Sequence, residues 1–246
     1  MKAAVFRGVR KIDVTDMPKP KPEAHEVLIK VRFCGICGSD VGSYKTGTCE
    51  EGLIIGHEFS GEIVELGEHV NEWKTGERVI ANGVRPCKSC YFCLHNRPSL
   101  CDNLQMTGVS FNGGFAEFVA VPSDILYRIP DNVGDEEATL VDPLSNCIHA
   151  TRYSSLQIGD RVLIIGAGPI GLSTLQCARL AGASEVYVSE ISDRRRAVAQ
   201  RLGATETYDP SKENLYVKMD KATSGRGPDV VFECAGTPQT LRESAT

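Results

Sequence analysis

No stretch of this chain is long and apolar enough to span a bilayer. Its longest apolar segment, residues 162–183, is interrupted by four glycines, Pro169, Gln176 and Arg179. No apolar core segment follows residues 1–5, as a secretory leader would require, and those residues read as a short strand. A basic surface is lacking too. The net charge is −5, and the basic residues are scattered apart from one short run, Arg194, Arg195 and Arg196. That composition excludes nucleic acid and membrane surfaces as partners. With those classes set aside, 246 residues, 41% apolar and 24% charged, suit an ordinary globular protein of one large or two modest domains. Ten cysteines without a leader point to a reducing, cytoplasmic setting and to metal binding before disulfides.

The chemistry concentrates in residues 35–40, Gly-Ile-Cys-Gly-Ser-Asp. They follow an alternating strand at 27–33 and turn on Gly35 and Gly38, which crowds the Cys37 thiol, the Ser39 hydroxyl and the Asp40 carboxylate at the strand's end. Gly56-His57-Glu58 supplies an imidazole and a second carboxylate, and Asp142, between Val141 and Pro143, supplies another. Cys37, His57 and a carboxylate are the ligand types of a catalytic Zn²⁺, which keeps its fourth position for water or substrate. Asp40 is then a natural acceptor for the far ring N–H of His57. Cys34 and Cys37 also spell a redox Cys-x-x-Cys. That motif belongs at the start of a helix, whereas this stretch reads as all-β.

Taken in order, residues 1 to about 133 read as short strands at 3–6, 27–33, 61–66, 78–81 and 115–121, separated by Gly, Pro and Asn turns, in a small barrel-like domain. Within it Cys87, Cys90, Cys93 and Cys101 are separated by gaps of two, two and seven residues. Four thiolates clamp a tetrahedral ion and leave no open position, so this zinc is structural. The surrounding residues 85–103 have little apolar content, and a metal would hold what packing could not. A helix begins at 135–140, Pro143 should interrupt it and turn Asp142 away from helical geometry, and a second helix should run over 146–154.

From residue 160 the character changes. The continuous apolar run 161–165 reads as a central parallel strand. It leads into Gly166-Ala167-Gly168-Pro169-Ile170-Gly171, a helix to about 181, and a second strand at 185–189 ending in Glu190. Strand, glycine turn, helix and an acid about twenty residues on form the dinucleotide fingerprint. Pro169 suits the first helical turn, whose free N–H groups face the pyrophosphate. Glu190 would accept the adenosine ribose hydroxyls and repel a 2′-phosphate, which favours NAD. Against that stand Arg194, Arg195 and Arg196, which could serve a 2′-phosphate or form the solvated face of the next helix. Further strands at 206–208 and 229–233 bring the count to four where about six are usual. Residues 230–232 would make an unprotected apolar edge, which predicts a fragment of a longer protein.

These motifs together resemble the zinc-dependent medium-chain dehydrogenases, most closely the sorbitol, threonine and butanediol branch, over the whole chain. The resemblance implies an α/β plus β architecture: a GroES-like catalytic domain over 1–146, then a truncated Rossmann doubly wound parallel sheet over 147–246, with the active site between them. It implies two zincs per chain, a catalytic one on Cys37 and His57 and a structural one on the four-cysteine lobe. Glu58 is either the third protein ligand or sits just behind the metal. One thiolate plus one carboxylate neutralises Zn²⁺, which favours one carboxylate on the metal at a time; Glu58 is expected as the more direct ligand, with Asp142 nearby or exchanging. Ser39 takes the alcohol hydrogen bond and starts the proton relay.

Two departures from the family pattern stand out. Asp142 occupies a position where relatives more often carry Glu or Cys, and Asp is shorter than Glu by about 1.5 Å. Gly42 stands where many relatives have a relay histidine, so the proton would leave through Tyr44, ordered water or a carboxylate. The expected activity is hydride transfer between a secondary alcohol or polyol and NAD, by a homo-oligomer when the chain is full length. The alternatives are a catalytically silent, zinc-stabilised nucleotide-binding fragment and a zinc reductase running on NADPH.

Overall fold

A computed structural model of the chain describes residues 1–245 and divides into two compact units, Met1–Asp142 and Pro143–Thr246. In the first unit β1 (Lys2–Phe6) and β2 (Ile12–Asp16) pair antiparallel. There follow β3 (Glu26–Gly35), α1 (Gly38–Thr46), β4 (Glu58–Leu66) and β5 (Arg78–Ala81). A lobe of β6 (Val84–Arg85), α2 (Tyr91–Leu94) and β7 (Gln105–Met106) interrupts the sheet before β8 (Phe118–Pro122) and β9 (Leu126–Arg128) complete it. The order β8-β3-β4-β5-β9 is antiparallel throughout and does not close, since β8 and β9 are edges.

Alternation along these strands sends Val27, Ile29, Phe59, Ile63, Val79, Val119 and Val121 into one core. Each such buried side chain contributes about 1.5–3 kcal/mol. Trp73 joins them and donates its indole N–H to the carbonyl of Ser123 at 2.9 Å, so its one polar atom is satisfied.

The stretch after β3 is not all-β. Cys37 is the extended N-cap of α1, its N–H is accepted by Asp40 at 2.9 Å, and Gly47 in the left-handed region ends the helix. Nor does Pro143 break a helix. After α3 (Asp135–Ala138), α4 (Val141–Tyr153) runs through it. Pro143 falls in the first turn, where a missing N–H costs no intrahelical bond. Asp142 is therefore helical.

The second unit continues with β10 (Arg161–Ile165), α5 (Pro169–Leu180), β11 (Glu185–Ser189), α6 (Asp193–Arg201), β12 (Glu206–Tyr208), α7 (Leu215–Ala222), β13 (Val230–Glu233) and α8 (Pro238–Glu243). Its parallel sheet has the order β12-β11-β10-β13, so the chain reverses direction across the sheet after β12. The central strand β10 is buried from Val162 to Ile165 and feeds two cores. Val162 and Ile164 pack with Leu175, Ala178 and Ala199; Leu163 and Ile165 pack with Tyr187, Tyr208 and Met219. Both faces of the sheet are covered, which explains the unbroken apolar run. Among the described residues no helix is long and apolar enough to cross a membrane.

Candidate active site

Strand register brings the first cluster together. β3 and β4 pair antiparallel with Gly35 opposite Glu58, so residues just beyond the end of β3 meet residues just before the start of β4. The donor atoms of Cys37, His57 and Glu58 lie within 4.8 Å of one another. Two donors on one tetrahedral zinc stand roughly 3.5 Å apart, a difference that side-chain rotation closes. A Cβ on Gly35 would stand 2.5 Å from Oε2 of Glu58 and 3.2 Å from its Cβ. The missing side chain at Gly35 is what lets this carboxylate fold back beside Cys37.

Asp40 is buried, and its second oxygen faces Nδ1 of His57 at 3.7 Å. That distance is long for a hydrogen bond, and Nδ1 is a buried nitrogen with no hydrogen-bond partner. Burial pushes the Glu58 carboxyl above its ordinary range, opposed by a hydrogen bond from the Cys37 thiol and reinforced by the Asp142 charge. Burial pushes Asp142 up as well, with His57 opposing. Carboxyls held uphill beside an unpaired imidazole form a cluster short of positive charge, which a divalent cation supplies. The donor set fits zinc. Asp142 lies beside this cluster, with Oδ2 3.7 Å from the point where a Gly83 Cβ would stand and the His57 Cβ 3.5 Å from the same point.

Ser39 is exposed in the first turn of α1, and Tyr44 lies in its last, where its carbonyl accepts the Arg10 N–H at 2.6 Å. Cys34 is pushed up to about 12 by burial and by the charges of Asp40 and Glu58. A thiol held protonated is a poor redox nucleophile. That weighs against the redox motif, although a helix does follow it.

The second cluster gathers Cys87, Cys90, Cys93 and Cys101, and the sulfurs of Cys87 and Cys93 are 3.9 Å apart. Two thiolates on a tetrahedral zinc stand about 3.8 Å apart. Backbone N–H groups are aimed at the sulfurs: Cys87 N and Asn103 N at Cys101, and Cys90 N at Cys87. The Ser89 N–H, the Ser89 hydroxyl and the Cys90 N–H hold the Cys87 thiol down to about 6, while desolvation and neighbouring thiols push Cys93 up to about 12. Of residues 85–103 only Cys101 is buried. The lobe has no apolar core, and its donor set fits a structural zinc.

In the second unit Gly166 follows β10, Gly168 caps α5, and Pro169 opens it with Ile170 exposed beside it. A Cβ on Gly171 would stand 1.9 Å from the Gly166 carbonyl oxygen, so only glycine fits that turn. Glu190 is buried at the end of β11. Its Oε2 accepts from Ala167 N at 2.8 Å and its Oε1 from Ser192 N at 2.9 Å. Arg195 is exposed with Nη1 3.8 Å from Oε2 of Glu190. Arg196 instead reaches under the turn, donating to the Glu190 carbonyl and pairing with Asp193 and Asp209. Sequence reasoning passed over Asp209, since a lone acid after a short third strand carries no motif.

Two family models match the chain, an alcohol dehydrogenase GroES-like domain over residues 23–131 and a zinc-binding dehydrogenase over residues 169–246. The L-threonine 3-dehydrogenase of Alteromonas mediterranea is 38% identical over 99% of this chain and 72% of its own length. The solved 2R,3R-butanediol dehydrogenase of Bacillus subtilis superposes with a TM-score of 0.87 at 35% identity, covering 99% of this chain and 73% of its own. A Sinorhizobium meliloti protein described as a zinc-binding dehydrogenase, solved with NADP, gives a TM-score of 0.92 at 36% identity over 99% and 72%. The chain therefore belongs to the zinc-dependent medium-chain dehydrogenases, oxidoreductases with a GroES-like domain and a Rossmann sheet.

Proposed function

We propose that this protein reversibly oxidises a secondary alcohol or polyol with NAD, using a zinc ion held by Cys37, His57 and Glu58. The convergence of those three donors through the β3–β4 register carries the reading. Bound zinc supplies Lewis acidity towards an alcohol oxygen, and NAD supplies the hydride acceptor. The protein's own groups do the rest. The Cys37 thiolate and Glu58 carboxylate balance the dication, the buried Asp40 carboxylate faces the His57 ring 3.7 Å from Nδ1 and would orient it once that gap closes, and Asp142 stands ready as an exchanging second carboxylate. The exposed Ser39 hydroxyl receives the alcohol proton.

Beyond Ser39, Gly42 leaves open space on α1, with nothing within 4 Å of where its Cβ would be, so water as well as Tyr44 can carry the proton on. Glu190, whose oxygens keep lone pairs beyond their two N–H partners, takes the ribose hydroxyls across from Gly166, Gly168 and Gly171. A second zinc sits on Cys87, Cys90, Cys93 and Cys101. Ten free cysteines suit action in the reducing cytoplasm. A second reading, an NADPH-dependent reductase, is favoured by the exposed Arg195 beside Glu190 and predicts tighter NADPH than NADH binding.

Zinc stoichiometry together with turnover tests the proposal. Cys37→Ala and His57→Ala should each lose one of two zincs and all NAD-dependent alcohol oxidation while the four-cysteine zinc stays. A Cys37→Ala protein that keeps both metals and full turnover would sink it.

A further inference from the structure

We propose that Asp209 determines nucleotide specificity: by pairing with Arg196 it withholds a guanidinium from a 2′-phosphate beside Glu190, so that NAD is preferred to NADP. This rests on the reading that Glu190 takes the adenosine ribose. Arg196 reaches Glu190 from below, its Nη1 donating to that residue's main-chain carbonyl. Yet it is not available. Its Nη2 is 3.3 Å from Oδ2 of the buried Asp209, and the Arg196 side chain itself is only 13% exposed.

Asp193 also pairs with Arg196, but its side chain is 84% exposed and solvent screens the interaction. Asp209 is the anchor because it is itself fixed. Its Oδ1 accepts from the Ser211 hydroxyl at 2.6 Å and the Ser211 N–H at 3.0 Å, and its Oδ2 takes Lys212 Nζ at 3.0 Å. These donors hold its carboxyl down to about 2, so it is charged at any working pH. A guanidinium deprived of a buried partner seeks another anion, and a 2′-phosphate beside Glu190 is the nearest a ligand could offer. Of the other arginines in the run, Arg195 already faces the Glu190 carboxylate and Arg194 is exposed.

The test is fluorescence titration of NADH and of NADPH into the zinc-loaded protein, for wild type, Asp209→Asn and the double variant Asp209→Asn with Arg196→Ala. Asp209→Asn should narrow the NADH-over-NADPH preference about tenfold, mostly through tighter NADPH binding, the gain of one charge-assisted bond. The double variant should restore the wild-type ratio, because the freed cation is gone. If Asp209→Asn weakens both nucleotides equally, or the double variant keeps the narrowed ratio, Asp209 is only structural and the proposal is overturned. Glu190→Gln separates the parent reading from this one. If it leaves the wild-type preference unchanged, or if neither nucleotide binds wild type, the ribose assignment falls and this inference falls with it.

Discussion

Gly35 decides where the Glu58 carboxylate can go. A methyl group there would meet both Oε2 and Cβ of Glu58, so the carboxylate must swing away from Cys37. Gly35→Ala should therefore weaken the catalytic zinc about tenfold or more, as loss of a properly oriented ligand does, without touching the four-cysteine zinc. Competition with a chelator, read as two zinc-release phases, checks this: only the phase coupled to activity should shift. Asp209 illustrates charge at the same scale. Its carboxyl is held at about 2 against an ordinary 3.8, first by the Ser211 hydroxyl and then by Lys212. Because the folded value is the lower one, its contribution to stability is present above about pH 4 and is lost as pH falls through 2. Asp209→Asn removes it at neutral pH and flattens the acid limb. Urea midpoints measured between about pH 5 and pH 2 should fall less steeply in the variant than in wild type.

Among the elements, those with a strong period were legible and those made by capping were not. Residues 161–165 announced β10 because four buried aliphatics in a row have few other uses, and the glycines after them fixed the start of α5. α1 was missed because Gly38, Ser39, Val41 and Gly42 are weak helix formers with no apolar period. The Cys37–Asp40 cap and Gly47 make it, and an acid at the third helical position followed by a glycine was the available signal. α7 carried its own start signal too, Asn214, whose side chain accepts the Val217 N–H, but short elements under a single cap are hard to separate from loop. Pro143 argues locally for turning Asp142 out of a helix, yet it sits in the first turn of α4, and where α4 begins is not set by local residues alone.

In the four-cysteine lobe the gathering of Cys87, Cys90, Cys93 and Cys101 was legible from their spacing, while its short elements β6, α2 and β7 were not. Having no apolar core, it should depend on its metal alone. Cys93→Ala should make residues 85–103 sensitive to limited proteolysis while the five-stranded sheet, with its own core around Phe59 and Ile63, stays resistant. Equal protection in variant and wild type would show that the lobe folds without zinc.

For the molecule as a whole, each unit has its own core, and the proposed zincs and nucleotide fall to different units, so they should stabilise different stretches of one chain. A ligand that binds only the folded state stabilises it by about 2.7 kcal/mol at a hundred times its Kd, and amides near the site feel this through slower opening. Hydrogen exchange with saturating NADH should slow at Gly166, Ala167 and Gly171 and at Glu190 and Ser192, the glycine turn and the N–H partners of Glu190 that the proposal assigns to the nucleotide. It should not slow in residues 85–103. Zinc removal should do the reverse, raising exchange in 85–103 and around Cys37 and His57 while β10 and β11, buried between two apolar layers, exchange as before. If removing zinc also opened the parallel sheet, or NADH protected the cysteine lobe, the ligands would not be assigned to separate cores. The division of labour read from the thiol spacing and the glycine fingerprint would then be wrong at its root.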